Sequence, residues 1–193
     1  IVSRNESNQE SSFPVVEMDF NPNSNLVERV ICPANISMSI EENAINIAKN
    51  LSKSLNHIGL LAIEMFLTHD DKILINEIAP RPHNSGHHTI ECCFTSQFEQ
   101  HLRSVLNLPL GDTSIKIPGI MLNLVGENKN EGEVLYENID MIMKMPGVTP
   151  HIYGKRKSRL NRKMGHITIV NKNINDAIEM SKEIRKIIKV TSK

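Results

Sequence analysis

The sequence predicts an α+β fold, because it contains both a hairpin-like pair of strands and separate amphipathic helices. Two apolar runs, Leu60–Thr68 and Lys72–Ala79, flank a polar turn at Asp70-Asp71, which is the pattern of a β-hairpin. Apolar residues recur at helical spacing after residue 39 and again at 175–188.

The N-terminal third is predicted to contain two strands and a helix. Phe13–Phe20 and Leu26–Ala34 are rich in strand-forming residues, and the turn-forming segment Asn21–Ser24 separates them. The Ser-Ile-Glu-Glu motif at 39–42 forms a capping box, so a helix should begin there and end near Gly59. The apolar residues of this helix fall on one face: Ile40, Ala44, Ile47, Ala48, Leu51 and Leu55.

After the hairpin, Ser96–Leu108 is predicted to be a helix with a buried stripe of Phe98, Leu102, Val105 and Leu106. Leu108–Asp112 is typical of a boundary, which divides the chain into domains of about residues 1–110 and 111–193. The second domain should contain, in order, a strand (Ile117–Val125), a short helix (Val134–Met143), strands near His151–Tyr153 and Gly165–Val170, and a helix (Asn175–Ile188).

The composition argues against several classes of partner. The 193 residues include 22 basic and 22 acidic side chains, so no net field attracts nucleic acid or an acidic membrane. No apolar run approaches the roughly 20 residues that span a bilayer. Three cysteines, two of them adjacent, do not indicate a disulfide framework, and we expect a cytoplasmic protein. Because the chain starts at Ile1 rather than Met, we expect it to begin inside a larger protein.

The hairpin brings two acidic residues together. If its turn is centred between Asp70 and Asp71, Glu64 and Glu77 are direct cross-strand partners, with Cβ atoms roughly 4.5–5.5 Å apart. Like charges at that spacing are destabilising unless a cation lies between them, and Mg²⁺ takes oxygen ligands while leaving positions for substrate phosphates. The opposite face is also apolar, so we expect both faces to be covered. The alternative is two surface glutamates on a solvated strand face.

The loop that follows the hairpin is rich in hydrogen-bond donors. Two prolines fix the direction of Ala79–His87, and Arg81, His83, Asn84 and Ser85 offer a guanidinium, an imidazole, an amide and a hydroxyl. A rigid loop of this kind beside a metal-binding strand suits a small planar anion. A polar loop with a satisfied histidine is the alternative.

A zinc site formed by His83, His87, His88, Cys92 and Cys93 is disfavoured. The two cysteines are adjacent, and there is no CxxC motif. The second pair of ligands that a structural zinc site requires is missing.

Basic side chains crowd the segment Tyr153–His166. A basic surface or a weak nucleic-acid patch would explain them. However, no aromatic residues are interleaved to stack on bases, and the chain is neutral overall. The more specific interpretation is a phosphate-binding hairpin, in which Lys155 and Arg162 lead into and out of a turn at Ser158–Leu160.

Together these motifs resemble those of a known family. The segments are Glu64–Phe66, Ile75–His87, Ser96–Arg103 and Tyr153–His166, of which NEIAPRPHNSGH is highly specific. They resemble 5-(carboxyamino)imidazole ribonucleotide synthase, an ATP-grasp enzyme of bacterial and fungal purine synthesis. The resemblance spans about residues 1–185 and implies the distal part of an ATP-grasp domain followed by a small C-terminal α/β domain. The family's N-terminal nucleotide-fold domain and its glycine-rich loop over the ATP phosphates lie outside it.

The resemblance also implies roles for individual residues. Glu64 and Glu77 would hold Mg²⁺ against the ATP phosphates, Phe66 would lie against the adenine, and Asn76 would join Glu77 in binding ATP. Arg81, His83 and Asn84, with Ser85, would bind bicarbonate and the carboxyphosphate made from it. Lys155 and Arg162 would hold the 5′-phosphate of aminoimidazole ribonucleotide.

The implied activity is ATP-dependent carboxylation of 5-aminoimidazole ribonucleotide by bicarbonate, in a homodimer that binds neither nucleic acid nor membrane. The chain by itself should be inactive, because half of the ATP site is missing from it. Two alternatives stay open. One is another ATP-grasp purine enzyme, such as a formate-dependent glycinamide ribonucleotide transformylase, and the other is a non-catalytic nucleotide-binding remnant.

Overall fold

The computed structural model describes all 193 residues, and its mixture of antiparallel strands and helices confirms the predicted α+β class. The strands are β1 (Val2–Arg4), β2 (Glu10–Ser12), β3 (Glu17–Phe20), β4 (Val27–Cys32), β5 (Gly59–Leu67), β6 (Ile73–Ala79), β7 (Gly119–Val125), β8 (Gly132–Glu137), β9 (Val148–Ile152), β10 (Lys157–Ser158), β11 (Lys163–Val170) and β12 (Lys189–Ser192). The helices are α1 (Met38–Ser54), α2 (Thr89–Cys92), α3 (Gln97–Val105), α4 (Ile139–Ile142) and α5 (Ile174–Ile187), with a 3₁₀ turn at Asn84–Gly86. None of the helices is long and apolar enough to cross a membrane.

The chain folds into two units. Unit 1 comprises Ile1–Glu17 and Cys32–Lys116, and unit 2 comprises Met18–Ile31 and Ile117–Lys193. Residues 18–31 therefore pack with the C-terminal part of the chain. A division of the chain at a single boundary near residue 110 does not describe this packing. The division into domains 1–110 and 111–193 stays a prediction.

Unit 1 is built on a four-stranded sheet of order β2-β1-β5-β6. Its neighbouring strands are antiparallel, and β6 lies at the edge. Val2, Ala48 and Leu61 form the centre of its core, so α1 covers the face of the sheet that carries the odd-numbered residues of β5. The start of β5 contacts α3, where the backbone N–H of Leu60 donates to Nδ1 of His101 at 3.2 Å.

α1 begins earlier than the sequence suggested. Its N-cap is Ser37, whose hydroxyl accepts the backbone N–H of Ile40 at 3.4 Å. Glu41 lies in the first turn, where a negative charge is favourable. The predicted capping box at Ser39 was therefore two residues late, although the buried residues Ala44 and Ala48 lie on the predicted face.

α3 buries the face opposite to the predicted one. Its buried residues are Gln97, Gln100 and Ser104. The predicted buried stripe is exposed, from 41% at Phe98 to 64% at Leu106. The polar face turns inward because both glutamine side chains bond to loop backbone, which removes the cost of burying them.

Unit 2 contains a five-stranded sheet of order β3-β4-β7-β11-β9 and a three-stranded sheet of order β10-β8-β12. Its core is a cluster of buried apolar residues: Ile120, Leu122, Leu124, Ile142, Met164, Ile167, Ile169, Ala177, Ile184, Ile188 and Val190. The predicted helix Val134–Met143 is wrong in its first half, which is strand β8. Val134 and Tyr136 alternate with exposed residues and pack against the core, as the two-residue period of a strand requires.

His88 is buried at the N-cap of α2, where its Nδ1 lies 3.0 Å from the carbonyl oxygen of Ser85. Burial lowers the pKa of this imidazole from its usual 6.5 to about 4. Between those two values the unfolded chain takes up a proton at His88 and the folded chain does not. The free energy of unfolding should therefore fall as the pH drops from about 6.5 to about 4, with at most about 3 kcal/mol of the loss due to this residue.

We expect His88→Phe to remove that part of the pH dependence. Relative to the wild type, the variant should gain stability on going from about pH 7 to about pH 4, because only the wild-type unfolded state is stabilised by protonation at this position. Urea unfolding of the 193-residue chain at both pH values measures the difference. Equal pH slopes for the two proteins would contradict this role of the buried imidazole.

Candidate functional site

The hairpin of β5 and β6 pairs Glu64 directly with Glu77, which confirms the predicted pairing. Ile63 pairs with Ile78 and Ala62 with Ala79 in the same register. Because cross-strand partners project from the same face, the two carboxylates lie side by side on the face away from α1. That they hold a metal ion stays a prediction.

The turn of this hairpin is centred on Asp70, half a residue before the predicted centre between Asp70 and Asp71. The backbone N–H of Thr68 donates to the carbonyl of Lys72 at 2.9 Å, and the N–H of Lys72 donates to Oγ1 of Thr68 at 3.0 Å. The Lys72 ammonium and the Thr68 hydroxyl hold the pKa of Asp70 below its usual value. The ladder then shifts by one residue, and Asn76 is the extra residue of a β-bulge. The bulge restores the pairing of the two glutamates.

The expectation that both faces of the hairpin are covered is wrong for its distal half. α1 packs on β5 only as far as Met65, and α3 contacts the start of β5. Phe66 is 56% exposed, and Leu74 and Ile75 on β6 are also exposed. The apolar pattern of these strands extends further than the helices that pack on them.

The loop after β6 brings His83 to Glu64. Nδ1 of His83 accepts the backbone N–H of Ser85 at 3.4 Å and lies 2.9 Å from its hydroxyl. The same nitrogen lies 3.7 Å from Oε1 of Glu64, and both side chains are largely buried. His83 and Ser85 therefore lie beside Glu64, which is the cross-strand partner of Glu77.

The other predicted residues of the loop are arranged differently. Arg81 is exposed, and its Nη1 donates to the carbonyl of Pro82 at 3.0 Å. Asn84 is half-buried at the start of the 3₁₀ turn. A guanidinium has five N–H donors, so one bond to Pro82 leaves Arg81 able to bind an anion.

Sequence reasoning missed Gln97, the residue that holds this loop. It is completely buried, and its Oε1 accepts the backbone N–H of His83 at 2.9 Å. Its Nε2 donates to the carbonyl of His83 and to Nδ1 of His87, both at 2.8 Å. A glutamine at the first position of a helix resembles a solvated residue, so no signal in a single sequence marks it.

In unit 2 the basic segment is a loop with its own short strand rather than a simple hairpin. Ser158, expected in the turn, lies in β10 opposite Gly132. The turn is at Leu160–Asn161, and Asn161 adopts a positive φ of 64°. The predicted turn at Ser158–Leu160 is therefore displaced toward the C-terminus.

Both predicted phosphate ligands of this loop bond to its backbone. Nζ of Lys155 donates to the carbonyl of Lys163 at 2.6 Å, and Nη1 of Arg162 donates to the carbonyl of Lys157 at 2.9 Å. Each cation keeps further N–H groups for a ligand. The bonds fix the stems of both side chains within one loop.

The donor set of unit 1 fits magnesium rather than a metal held by protein ligands alone. The structure has no group of three or more His, Cys, Asp or Glu side chains that could hold a metal ion. Mg²⁺ is usually held by one or two carboxylates together with substrate phosphates. Glu64 and Glu77 are two carboxylates placed side by side, and this donor set fits that kind of coordination.

Comparison with protein families matches both parts of the chain. A model described as the ATP-grasp domain matches residues 1–98, and a model described as the phosphoribosylaminoimidazole carboxylase C-terminal domain matches residues 119–180. The first covers just over half of the sequence. The chain therefore belongs to the ATP-grasp family, in agreement with the resemblance of its motifs.

Curated relatives point to one branch of that family. The chain is 43% identical over 170 residues to N5-carboxyaminoimidazole ribonucleotide synthase of Bacillus subtilis, covering 88% of this chain and 43% of that protein. It is 47% identical over 177 residues to the chloroplastic phosphoribosylaminoimidazole carboxylase of Vigna aconitifolia, covering 90% and 31%. The chain thus spans less than half the length of these relatives.

Solved structures agree with the sequence comparison. The N5-carboxyaminoimidazole ribonucleotide synthetase of Thermotoga maritima matches with a TM-score of 0.92 and 44% identity, over 100% of this chain and 51% of that one. The synthase of Aspergillus clavatus, in complex with ADP and 5-aminoimidazole ribonucleotide, matches with a TM-score of 0.83 and 32% identity, over 95% and 49%.

The glutamate pair makes a prediction about stability. Without divalent cations, we expect Glu77→Gln to raise the free energy of unfolding by roughly 0.2–1 kcal/mol, because it removes a like charge directly opposite Glu64. Added Mg²⁺ should stabilise the wild type and have little effect on the variant. Denaturant unfolding with and without Mg²⁺ measures both effects.

The matched control is Glu133→Gln. Glu133 is also an exposed strand glutamate, but it faces Lys157 across the ladder. Its loss should slightly lower stability, independently of Mg²⁺. The metal assignment would be wrong if Mg²⁺ stabilised the wild type and Glu77→Gln equally.

Proposed function

We propose that this chain is part of an enzyme that carboxylates the amine of 5-aminoimidazole ribonucleotide with bicarbonate and ATP. The observation that carries the proposal is the arrangement of Glu64, Glu77 and His83, formed by a hairpin and a donor-rich loop in an ATP-grasp chain. The similarity to N5-carboxyaminoimidazole ribonucleotide synthases supports the choice of substrate. Because the chain spans only part of those relatives, the activity belongs to the longer protein.

Glu64 and Glu77 would bind Mg²⁺, and the ion would neutralise charge on the transferred phosphoryl group. Phe66 projects from the same face as Glu64 by strand alternation, and its exposed ring could lie against the adenine. Asn76 projects from the bulge next to Glu77 and would contribute a polar contact to ATP. With these assignments, most of the residues of this chain that would contact ATP lie on the hairpin of β5 and β6.

Arg81, His83, Asn84 and Ser85 would bind bicarbonate and then carboxyphosphate. Phosphorylation turns bicarbonate into a mixed anhydride whose carbon the substrate amine can attack, with phosphate as the leaving group. Carboxyphosphate is short-lived in water, so the residues that bind it must also position it and limit its hydration. A loop fixed by two prolines and by Gln97 meets that requirement.

Lys155 and Arg162 would hold the 5′-phosphate of the ribonucleotide. Arginine can present two N–H groups to phosphate oxygens, while lysine acts as a point charge.

We further propose that the longer protein is a cytoplasmic homodimer. It would use Mg²⁺ and bind neither nucleic acid nor membrane.

The direct test follows the carbon source. A chimera that joins this chain to the part of the Thermotoga maritima synthetase outside the match should incorporate label from bicarbonate, and not from formate, into an aminoimidazole ribonucleotide product. The 193-residue chain alone should show no bicarbonate-dependent ATP hydrolysis, because it spans less than half the length of the curated relatives that it matches. Label incorporated from formate would favour a transformylase, and ATP binding without turnover in the chimera would favour a non-catalytic module.

Arg162→Ala tests the phosphate assignment in the same chimera. One charged hydrogen bond contributes about 1.5–3 kcal/mol, so the KM for aminoimidazole ribonucleotide should rise roughly ten- to a hundredfold. The KM for ATP should hardly change, because its phosphates are assigned to Glu64 and Glu77. Lys157→Ala is the control, since Lys157 is exposed and lies 3.5 Å from Glu131. Equal effects of the two substitutions would indicate a diffuse basic surface.

A further inference from the structure

Gln97 makes three side-chain hydrogen bonds to the donor-rich loop, although it lies outside that loop. Its side chain bonds to both backbone groups of His83 and to the ring of His87. Its backbone N–H donates to Oγ1 of Thr89 at 2.8 Å, and that hydroxyl donates to the carbonyl of Gly86 at 2.6 Å. One glutamine thus connects the start of α3 to both ends of the 3₁₀ turn.

The orientation of this amide is determined by the backbone of His83. The N–H of His83 can only donate and its carbonyl can only accept, so Oε1 must face the first and Nε2 the second. A flipped amide would place its NH₂ group against the N–H of His83 and its oxygen against the carbonyl of His83, and neither pair can form a hydrogen bond. The second hydrogen of Nε2 then points at Nδ1 of His87, which must accept it.

The tautomer of His87 follows from that bond. Since Nδ1 accepts a hydrogen bond, a neutral His87 carries its proton on Nε2. The ring is also stacked on Phe98, with centroids 5.5 Å apart. His87 is thereby held in one orientation with one donor nitrogen.

Close packing around Gln97 fixes the turn further. A Cβ placed on Gly86 would lie 2.4 Å from Oε1 of Gln97, so only glycine allows the loop to approach the amide this closely. The residue is completely buried, and both hydrogens of its amide are used. An amide with every polar group satisfied in a buried position is rigid.

We propose that Gln97 is a positioning residue, which holds the backbone of His83 in place and sets the tautomer of His87. The consequence for catalysis rests on the proposed function, in which His83 contacts the carboxyphosphate. The contacts themselves do not depend on it.

Gln100 provides a matched control on the same helix. It too is completely buried, and its amide bonds to both backbone groups of one loop residue, Gly111. The bonds are 2.8 Å from the Gly111 N–H and 3.3 Å to its carbonyl. Gln97→Glu and Gln100→Glu therefore make the same chemical change at equal burial, and only the first alters the candidate site.

The first experiment is two-bond ¹H–¹⁵N NMR of the histidine rings in the 193-residue chain, with His87 assigned from a His87→Phe variant. In the wild type and in Gln100→Glu, the neutral ring of His87 should carry its proton on Nε2. In Gln97→Glu the carboxylate accepts rather than donates, so His87 should gain a proton on Nδ1. A wild-type His87 that is protonated on Nδ1 near pH 7 would overturn the proposal even if the variant does not fold.

The second experiment is kinetic and uses the chimera. Gln97→Glu should lower kcat about ten- to a hundredfold with the KM for ATP unchanged, because the anion is misplaced while the metal-binding glutamates are intact. Gln100→Glu should stay close to the wild type. An equal loss of kcat in both variants would show that Gln97 acts only through folding. An inactive wild-type chimera would count against the proposed function, and the NMR result would still decide the role of Gln97.

Discussion

Two like charges held directly opposite each other constrain the whole candidate site in unit 1. Nothing in the packing of a hairpin requires Glu64 to face Glu77, and without a cation the pair is unfavourable. A β-bulge with one extra residue, Asn76, nevertheless keeps the two glutamates paired. The same geometry directs β6 into the loop that carries His83 to within 3.7 Å of Glu64. The register of one ladder therefore sets the positions of carboxylates, imidazole and loop together.

The glutamate pairing could be predicted from the sequence, but it was predicted for an incomplete reason. The two-residue period and the polar turn suffice to align the strands approximately. The turn is centred on Asp70, and that shift alone would have separated the glutamates by one position. The bulge at Asn76 compensates for it. A bulge depends on how the two backbones pair, and residue type at a single position does not reveal it.

α3 and β8 show where pattern reasoning fails in general. Amphipathic spacing tells which face of a helix is apolar, but it does not tell which face the protein covers. α3 turns Gln97 and Gln100 inward because each amide satisfies the N–H and C=O of a loop residue. In β8 the alternation of Val134 and Tyr136 indicated a strand, and the helix predicted there ignored that period. Tertiary contacts outweighed local preference in α3, whereas in β8 the local signal was present and misinterpreted.

The residues proposed to bind anions all lie on irregular backbone, and irregular backbone must find partners for its own polar groups. In this chain side chains supply them. Gln97 satisfies both backbone groups of His83, while Lys155 and Arg162 each donate to a carbonyl of their own loop. An arginine or lysine that donates one N–H to its loop still has several to offer a phosphate or carboxylate. Structural support and ligand binding therefore do not compete in these side chains. A multidonor cation can do both, whereas a glutamine that uses its whole amide on the loop can only position others.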